Sequence, residues 1–250
     1  GQSRAVLASR EGAWVKLFAL ADLHLPGGQE KPMDIFDPIW RDHPAQIAAR
    51  WRERVGPDDL VLVPGDISWA MTLEEAADDL AFIGGLPGRK LLLRGNHDYW
   101  WSSISKVRAA LPEGVHALQN DCFDLGDGRA VCGTRGWLIP GSQGLEPHDE
   151  KVYQREAIRL RLSLEAAAEA GLRPVVAMMH YPPCDAQGWP TLFTRLLEEF
   201  QVPLCVYGHL HGPAAKAAPP PEVRGVRYQL VAADYVRFEP VLLNPLLEGR

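Results

Sequence analysis

Asp22 and His24, Asp66, the run Asn96-His97-Asp98, His180, and the pair His209 and His211 are the residues of this chain whose types and spacing suit chemistry. Carboxylate, imidazole and carboxamide groups together make a donor set for first-row divalent metals such as Mn, Fe, Co, Ni or Zn. Ca and Mg favour all-oxygen shells instead, and structural zinc favours thiolates. Seven of these residues (Asp22, His24, Asp66, Asn96, His180, His209 and His211) exceed the three or four side chains that one catalytic ion takes. The count therefore implies two ions, and a carboxylate such as Asp66 has two oxygens with which to bridge a pair about 3.5–4 Å apart. Asp22 and His24 are two apart, as are His209 and His211, and on an extended segment side chains at that spacing point the same way.

The elements that must position these groups follow from the apolar pattern. Residues 15–20, 60–63, 90–93, 174–179 and 203–207 are continuous apolar runs of strand length, each suited to a strand covered on both faces. Between them, residues 44–55, 73–83, 102–111, 149–170 and 189–200 have helical patterns, with Thr72 at an N-cap position and Gly171 at a C-terminal left-handed cap. Residues 115–125 and 129–134, joined through Gly126-Asp127-Gly128, read as an antiparallel hairpin, and 226–233 with 236–240 repeats that pattern. The whole is an α/β chain, expected as a four-layer α/β/β/α sandwich with mixed sheets and parallel core strands. Every chemical residue named above then falls at the carboxyl end of a parallel strand, the edge at which open α/β sheets build ligand crevices. Gly65, Gly95 and Gly208 stand beside these residues, where a missing Cβ allows a sharp turn or a close approach.

The 250 residues suit one domain, expected over 15–250, with 1–14 as an extension or tag remnant. Apolar runs fall far short of the roughly 20 residues needed to span a bilayer, and no secretory leader pattern opens the chain, so the expected address is the cytoplasm. Four cysteines (122, 132, 184 and 205) lack C-x-x-C spacing and are expected reduced, although Cys122 and Cys132 could face each other across the first hairpin. A formal charge of −6 argues against broad nucleic-acid binding but leaves room for an anionic substrate, because bound cations reverse a local field.

In motif order the chain resembles the calcineurin-like metallophosphoesterase superfamily. The carrying residues are Asp22-Leu23-His24, Gly65-Asp66, Gly95-Asn96-His97-Asp98, His180 and Gly208-His209-Leu210-His211. The stretches 64–70, 96–101 and 133–137 are similar to a bacterial predicted-phosphohydrolase branch of it. The resemblance implies that Asp22, His24 and His211 hold one metal, that Asn96, His180 and His209 hold the other, and that Asp66 bridges them. Manganese is the favoured ion. The resemblance further implies hydrolysis of a small phosphoester. A water shared by two cations would serve as a metal-bridging hydroxide nucleophile, and the Trp-rich surroundings of the motifs lean slightly toward phosphodiesters or aryl-bearing esters over phosphomonoesters. His97, not counted as a ligand, is placed beside the leaving-group oxygen, and Asp98 is expected to hold its imidazole.

Arg135, after the strand ending at Thr134, could fork onto a phosphate or make an ordinary surface ion pair. Trp69, Tyr99, Trp100, Trp101, Trp137, Tyr181 and Trp189 crowd the motifs as either a substrate-stacking rim or plain core. Taken singly, Asp66 and Asp98 could cap helices and His180 could be a satisfied strand-end histidine. Capping does not explain five of the eight histidines falling at strand ends with ligand spacing. His43, His116 and His148 lie outside the pattern and are expected as packing or surface residues. The competing readings are a non-catalytic protein-binding scaffold, which predicts eroded ligands, and a nuclease, which predicts a basic groove.

Overall fold

The computed structural model describes residues 16–29 and 32–249. The expectation for residues 1–14 lies outside the described residues. The five expected parallel strands are present: β1 (Leu17–Ala19), β2 (Leu60–Pro64), β3 (Arg89–Leu93), and later β7 (Arg173–Met179) and β8 (Leu204–Tyr207). The five expected helices are α1 (His43–Arg54), α2 (Leu73–Gly84), α3 (Ile104–Ala110), α4 (Pro147–Glu169) and α5 (Leu192–Glu199), and a short α6 (Asn244–Leu247) follows. Thr72 caps α2 by accepting from the Glu75 amide, and Gly171 follows α4 with φ +70°.

Both expected hairpins are rebuilt by the fold. Residues 115–125 do not form one strand. β4 (Val115–Ala117) pairs parallel with β3, and only β5 (Phe123–Asp124) pairs antiparallel with β6 (Arg129–Thr134). Asn120, at φ +61°, turns the chain from one sheet to the other between them. The second pattern also divides: β10 (Val226–Leu230) lies parallel to β8 and antiparallel to β9 (Glu222–Val223). Arg237 and Phe238 then take positive φ, which ends any strand there, and β11 (Val241–Leu242) crosses to pair antiparallel with β1. A period-2 pattern reports a strand but not its partner, and in both cases the next strand belongs to the opposite sheet.

The result is a five-stranded sheet in the order β11-β1-β2-β3-β4 and a six-stranded sheet in the order β5-β6-β7-β8-β10-β9. Strand side chains alternate between three cores, which explains the unbroken apolar runs. Leu17, Leu60, Leu62, Leu91, Val176, Met178, Leu204 and Val206 fill the space between the sheets. Phe18, Val61, Val63 and Leu92 face Ile47, Trp51, Leu80, Ile83 and Val107 of α1, α2 and α3. Ala177, Met179, Cys205 and Tyr207 face Leu160, Leu164, Phe193 and Leu197 of α4 and α5. This is the α/β/β/α sandwich, held by apolar burial on both faces of each sheet. Cys132, Cys184 and Cys205 are buried free thiols, and Cys122 is half-buried. Among the described residues, no helix is long and apolar enough to cross a membrane.

Among the described residues, the backbones of the two sheets are hydrogen-bonded to each other at Ala21. The Ala21 amide donates to the Val231 carbonyl (2.9 Å), and the Ala21 carbonyl accepts from the Ala233 amide (2.9 Å). One residue past β1 thus stitches the first sheet to the end of β10 in the second. Beyond it β1 stays zipped to β2, through Asp22 N to Gly65 O (3.0 Å), His24 N to Asp66 O (3.0 Å) and Leu25 N to Ile67 O (2.9 Å). The carboxyl edges of both sheets therefore open into one shared crevice.

Lys90 of β3 is an exception to the apolar rule at 2% exposure. Its ammonium donates to the carbonyls of Leu86 and Gly84, at the end of α2. Burial pushes its pKa down to about 8. The folded state then binds fewer protons than the unfolded state between that value and the ordinary lysine range, so stability must rise with pH across this window. In urea titrations the wild type should gain about 1–2 kcal/mol relative to Lys90→Met between pH 8 and pH 10. A gain by the methionine variant instead would mean that the two carbonyls hold the charged form.

Candidate metal centre

Three of the loops at the shared crevice, those after β1, β2 and β8, bring donors in by a strained backbone. Asp22 (φ 61°), His24 (φ 43°), Asp66 (φ 53°) and His209 (φ 71°) all occupy the left-handed region, where a residue bearing a Cβ is disfavoured by roughly 1–3 kcal/mol. Two glycines make room for them. A Cβ on Gly95 would lie 2.3 Å from both the amide and Oδ1 of Asp66, and one on Gly208 would lie 2.3 Å from Asp22 Oδ2. Strain and close approach at one locus mark a set of side chains held where packing alone would not put them.

The donor atoms converge. Asp66 Oδ2 lies 3.4 Å from His180 Nε2, 3.7 Å from His24 Nε2 and 3.0 Å from His97 Nδ1. Asp22 Oδ1 lies 3.3 Å from His211 Nε2 and 3.8 Å from His24 Nε2. His180 Nε2 also faces Asn96 Oδ1 at 2.8 Å. Asp22, His24 and His211 form one group able to hold a metal ion, and Asp22, Asp66 and His180 form a second. His209 is carried beside them, with its amide donating to Asp22 Oδ2 (3.0 Å), its ring 5.2 Å from that of His180 and 4.2 Å from that of Tyr181. All seven expected ligands are thus brought to one crevice, with Asp22 and Asp66 at its floor and 0–1% exposed.

The hydrogen-bonding arithmetic is what a cation would satisfy. His180 Nδ1 donates to the Pro64 carbonyl (2.8 Å), and His211 Nδ1 donates to Asp234 Oδ1 (2.9 Å). In the neutral ring each remaining Nε2 then presents a lone pair to carboxylate or carboxamide oxygens that are acceptors themselves. Asp22 Oδ1 is buried with no hydrogen-bond partner. Lone pairs facing lone pairs need a positive charge between them, and spacings of 3.3–3.8 Å suit donors that share one ion at about 2.0–2.2 Å each. The residues present fit the metals that the donor types imply.

Electrostatics carry the same signature. Burial opposes charge on His180, yet Asp66 beside it raises its pKa to about 9. Burial likewise works against His211, and Asp22 and Asp234 overcome it, to about 10. Burial lowers His24 to about 4 against the pull of Asp66 and Asp22, and lowers His209 to about 4 with the help of the His180 charge. Burial alone would raise the Asp66 carboxyl, but the imidazoles of His180, His97 and His24 hold it far below the usual carboxylate range.

Asp98 differs from expectation. Its oxygens do not bond the His97 imidazole. They accept from the amides of Ile67 (2.9 Å), Ser68 (3.2 Å) and Gly95 (2.7 Å) and from the Trp100 indole (2.9 Å). Asp98 therefore ties the Asp66 loop to the Asn96 loop, and its burial, with the repulsion of Asp66, raises its pKa to about 6. The His97 ring is instead oriented by Asp66, and the His97 amide donates to Asp66 Oδ1 (2.9 Å). Arg135 makes an ion pair with Glu156 (2.9 Å) and lies 4.6 Å over the Trp137 ring, while its Nε is buried without a partner. The aromatic set divides: Trp100, Trp101 and Tyr181 are core, Trp69 stacks on His24 (4.9 Å, 23°), and Tyr99 and Trp189 are exposed.

Two supporting residues escaped the sequence reading. Asp234 holds His211, and it stands directly after the strand pattern 226–233, the same signal that marks the ligands. Reading that strand as half of a hairpin hid it. His43, expected as a packing residue, is buried and sets Nε2 2.9 Å from the carbonyl of His24, supporting a strained turn.

Residues 15–213 match the calcineurin-like phosphoesterase family. The chain is 40% identical over 116 residues to the gene 66 protein of Mycobacterium phage D29, covering 38% of this chain and 57% of that protein's length. It is 25% identical over 196 residues to the gene 66 protein of Mycobacterium phage L5, covering 77% of this chain and 76% of that protein. Among solved structures, the phosphopantetheinyl hydrolase of Mycobacterium tuberculosis shares the fold, with a TM-score of 0.51 and 17% identity over 94% of this chain and 98% of that one. With a match over most of its length, and with the donors of its shared crevice fitted to metal ions, the chain belongs to the calcineurin-like phosphoesterases, a family of metal-dependent phosphoester hydrolases.

Proposed function

We propose that the crevice holds two divalent transition-metal ions and hydrolyses small phosphoesters. Asp22, His24 and His211 hold one ion, Asn96, His180 and His209 hold the other, and Asp66 lies between them. The observation that carries this reading is the set of imidazole lone pairs aimed at carboxylate oxygens, with the buried Asp22 Oδ1 left unpartnered. Manganese heads the metals that this donor set suits, followed by Fe, Co, Ni and Zn. Two bound cations would supply a hydroxide nucleophile near neutral pH and electrostatic neutralisation of the phosphoryl oxygens.

The chain's own residues then do the positioning. Asp234 fixes His211 through Nδ1 and so leaves Nε2 for the ion. Asp98 and the Gly95 backbone keep the Asp66 and Asn96 loops in register. His97 is part-exposed, with Nδ1 on Asp66. In its imidazolium form it keeps that bond and offers Nε2–H to the leaving-group oxygen, acting as general acid. Exposed Tyr99, its ring 6.2 Å from that of His97, offers an apolar edge for a second ester substituent, which favours phosphodiesters and aryl esters over small monoesters.

Metal analysis alongside hydrolysis of bis-(p-nitrophenyl) phosphate and p-nitrophenyl phosphate with Mn²⁺ tests the reading. About two metal equivalents, chelator-sensitive turnover and faster release from the diester are expected; absence of both metal and turnover after reconstitution would favour the scaffold reading. Asp66→Asn should lower the content of both ions together and abolish turnover, and normal metal content in that variant would remove its bridging role. His97→Ala should retain metal while kcat falls about 10²–10⁴-fold for alkyl esters and much less for p-nitrophenyl esters. An equal loss for both would end the general-acid assignment. Metal binding must displace protons from His180 and His211, whose pKa values of about 9 and 10 lie above neutrality. Apparent metal affinity should therefore climb from pH 6 to pH 9 in buffered titrations, and a flat profile would mean that neither imidazole is a ligand.

A further inference from the structure

Beside the metal centre lies a second polar cavity of about 300 Å³, between the ends of β3, β4 and β6 and the flank of α4. Four arginines line it, Arg94, Arg135, Arg155 and Arg159, with Glu156 as its one carboxylate. On a chain of net charge −6 this is a local inversion of sign. Glu156 does not neutralise it. Its oxygens are engaged by Thr134 Oγ1 (2.5 Å) and by Arg135 (2.9 Å), with Arg159 at 3.9 Å. Arg159 also donates to Asn120 Oδ1 (3.1 Å). Arg94 Nε and Arg135 Nε are buried without hydrogen-bond partners, so two guanidinium donors are desolvated with nothing to receive them.

The cavity shares its backbone with the metal centre. Arg94 precedes Asn96 by two residues, a span of about 7 Å in extended chain. The carbonyl of Arg135 accepts from the amides of both His180 and Tyr181 (3.0 Å each). A molecule whose phosphoryl group sits on the metal-ligand side chains therefore has this cavity within reach of a second group a few bonds away. The geometry points to a phosphate-recognition subsite formed by Arg94, Arg155 and Arg159, which selects phosphoesters carrying a further phosphate besides the one attacked. A carboxylate is served by one arginine fork, whereas a phosphate dianion has oxygens enough for several.

This subsite rests on the phosphoesterase reading only for its purpose, so it is tested on chelator-stripped protein, where the metals play no part. Calorimetric titration with inorganic phosphate should give saturable 1:1 binding, with acetate binding far more weakly. Arg94→Gln and, separately, the exposed-face variant Arg155→Gln should each weaken phosphate binding by about 10- to 100-fold, the scale of a lost charge-assisted hydrogen bond. Asp66→Asn should leave it unchanged. Absence of phosphate binding, equal binding of acetate, or binding that survives both arginine substitutions would overturn the subsite. Arginine-dependent phosphate binding by a protein that, once metal-loaded, cleaves no phosphoester would keep the subsite and remove the hydrolase reading instead.

Discussion

Two carboxylates buried among imidazoles are the constraint that the rest of the molecule serves. Asp22 and Asp66 are removed from water at the seam of two sheets, and a buried charge is tolerated only when an opposite charge or a full set of donors meets it. The fold does not supply a full set. It supplies histidines already donating elsewhere, to Pro64 and to Asp234, so that their second nitrogens face the carboxylates as acceptors. Protons can fill those positions, and they are held tightly there; a divalent cation is the other species able to do so. The four left-handed ligand backbones, together costing a substantial part of the 5–15 kcal/mol that typically separates folded from unfolded states, are tolerable in a domain that recovers stability by binding what they hold.

The double-sheet architecture explains why these groups meet. A single open sheet would put donors along a line at one carboxyl edge. Here Ala21 bonds across to β10, so the two edges are pinned side by side and donors from β1, β2 and β3 face donors from β7 and β8. Asp98 then crosslinks two of those loops with a carboxylate that accepts from three amides and an indole. Apolar burial in three cores stabilises the sheets, while hydrogen bonds in the loops specify where the donors point.

Most of the fold is legible in the sequence, and so is the gathering of seven donor residues at one crevice. The five parallel strands read clearly because burial on both faces leaves an unbroken apolar run, and the candidate ligands read clearly because each is a polar residue interrupting the pattern at a strand end. Pairing was less legible. Residues 115–125 and 226–240 carry strand composition, but their partners are set by turns at Asn120 and at Arg237-Phe238, where residues other than glycine adopt positive φ without advertising it. That error had a cost at the site, because Asp234 belongs at a parallel strand end and was passed over inside a supposed hairpin. The contacts of Asp98 are illegible for a related reason. Adjacency to His97 suggested contact, whereas consecutive residues on a tight loop point apart, and its carboxylate turns inward to the amides of the neighbouring loop.

The stitch between Ala21 and the end of β10 also has a meaning in time. The Asp22 carboxylate is met by the His209 amide, 187 residues further along the chain. His211 waits further for Asp234, and β1 is closed on its outer side only by β11. A nascent chain emerging at about 5–20 residues per second therefore carries Asp22 for many seconds before its partners exist. Such long-range closure is intrinsically slow, and the donor cluster assembles only once the chain through Asp234 is present. A ribosome-bound or prematurely ended fragment displays the first motifs without the geometry that would let them react.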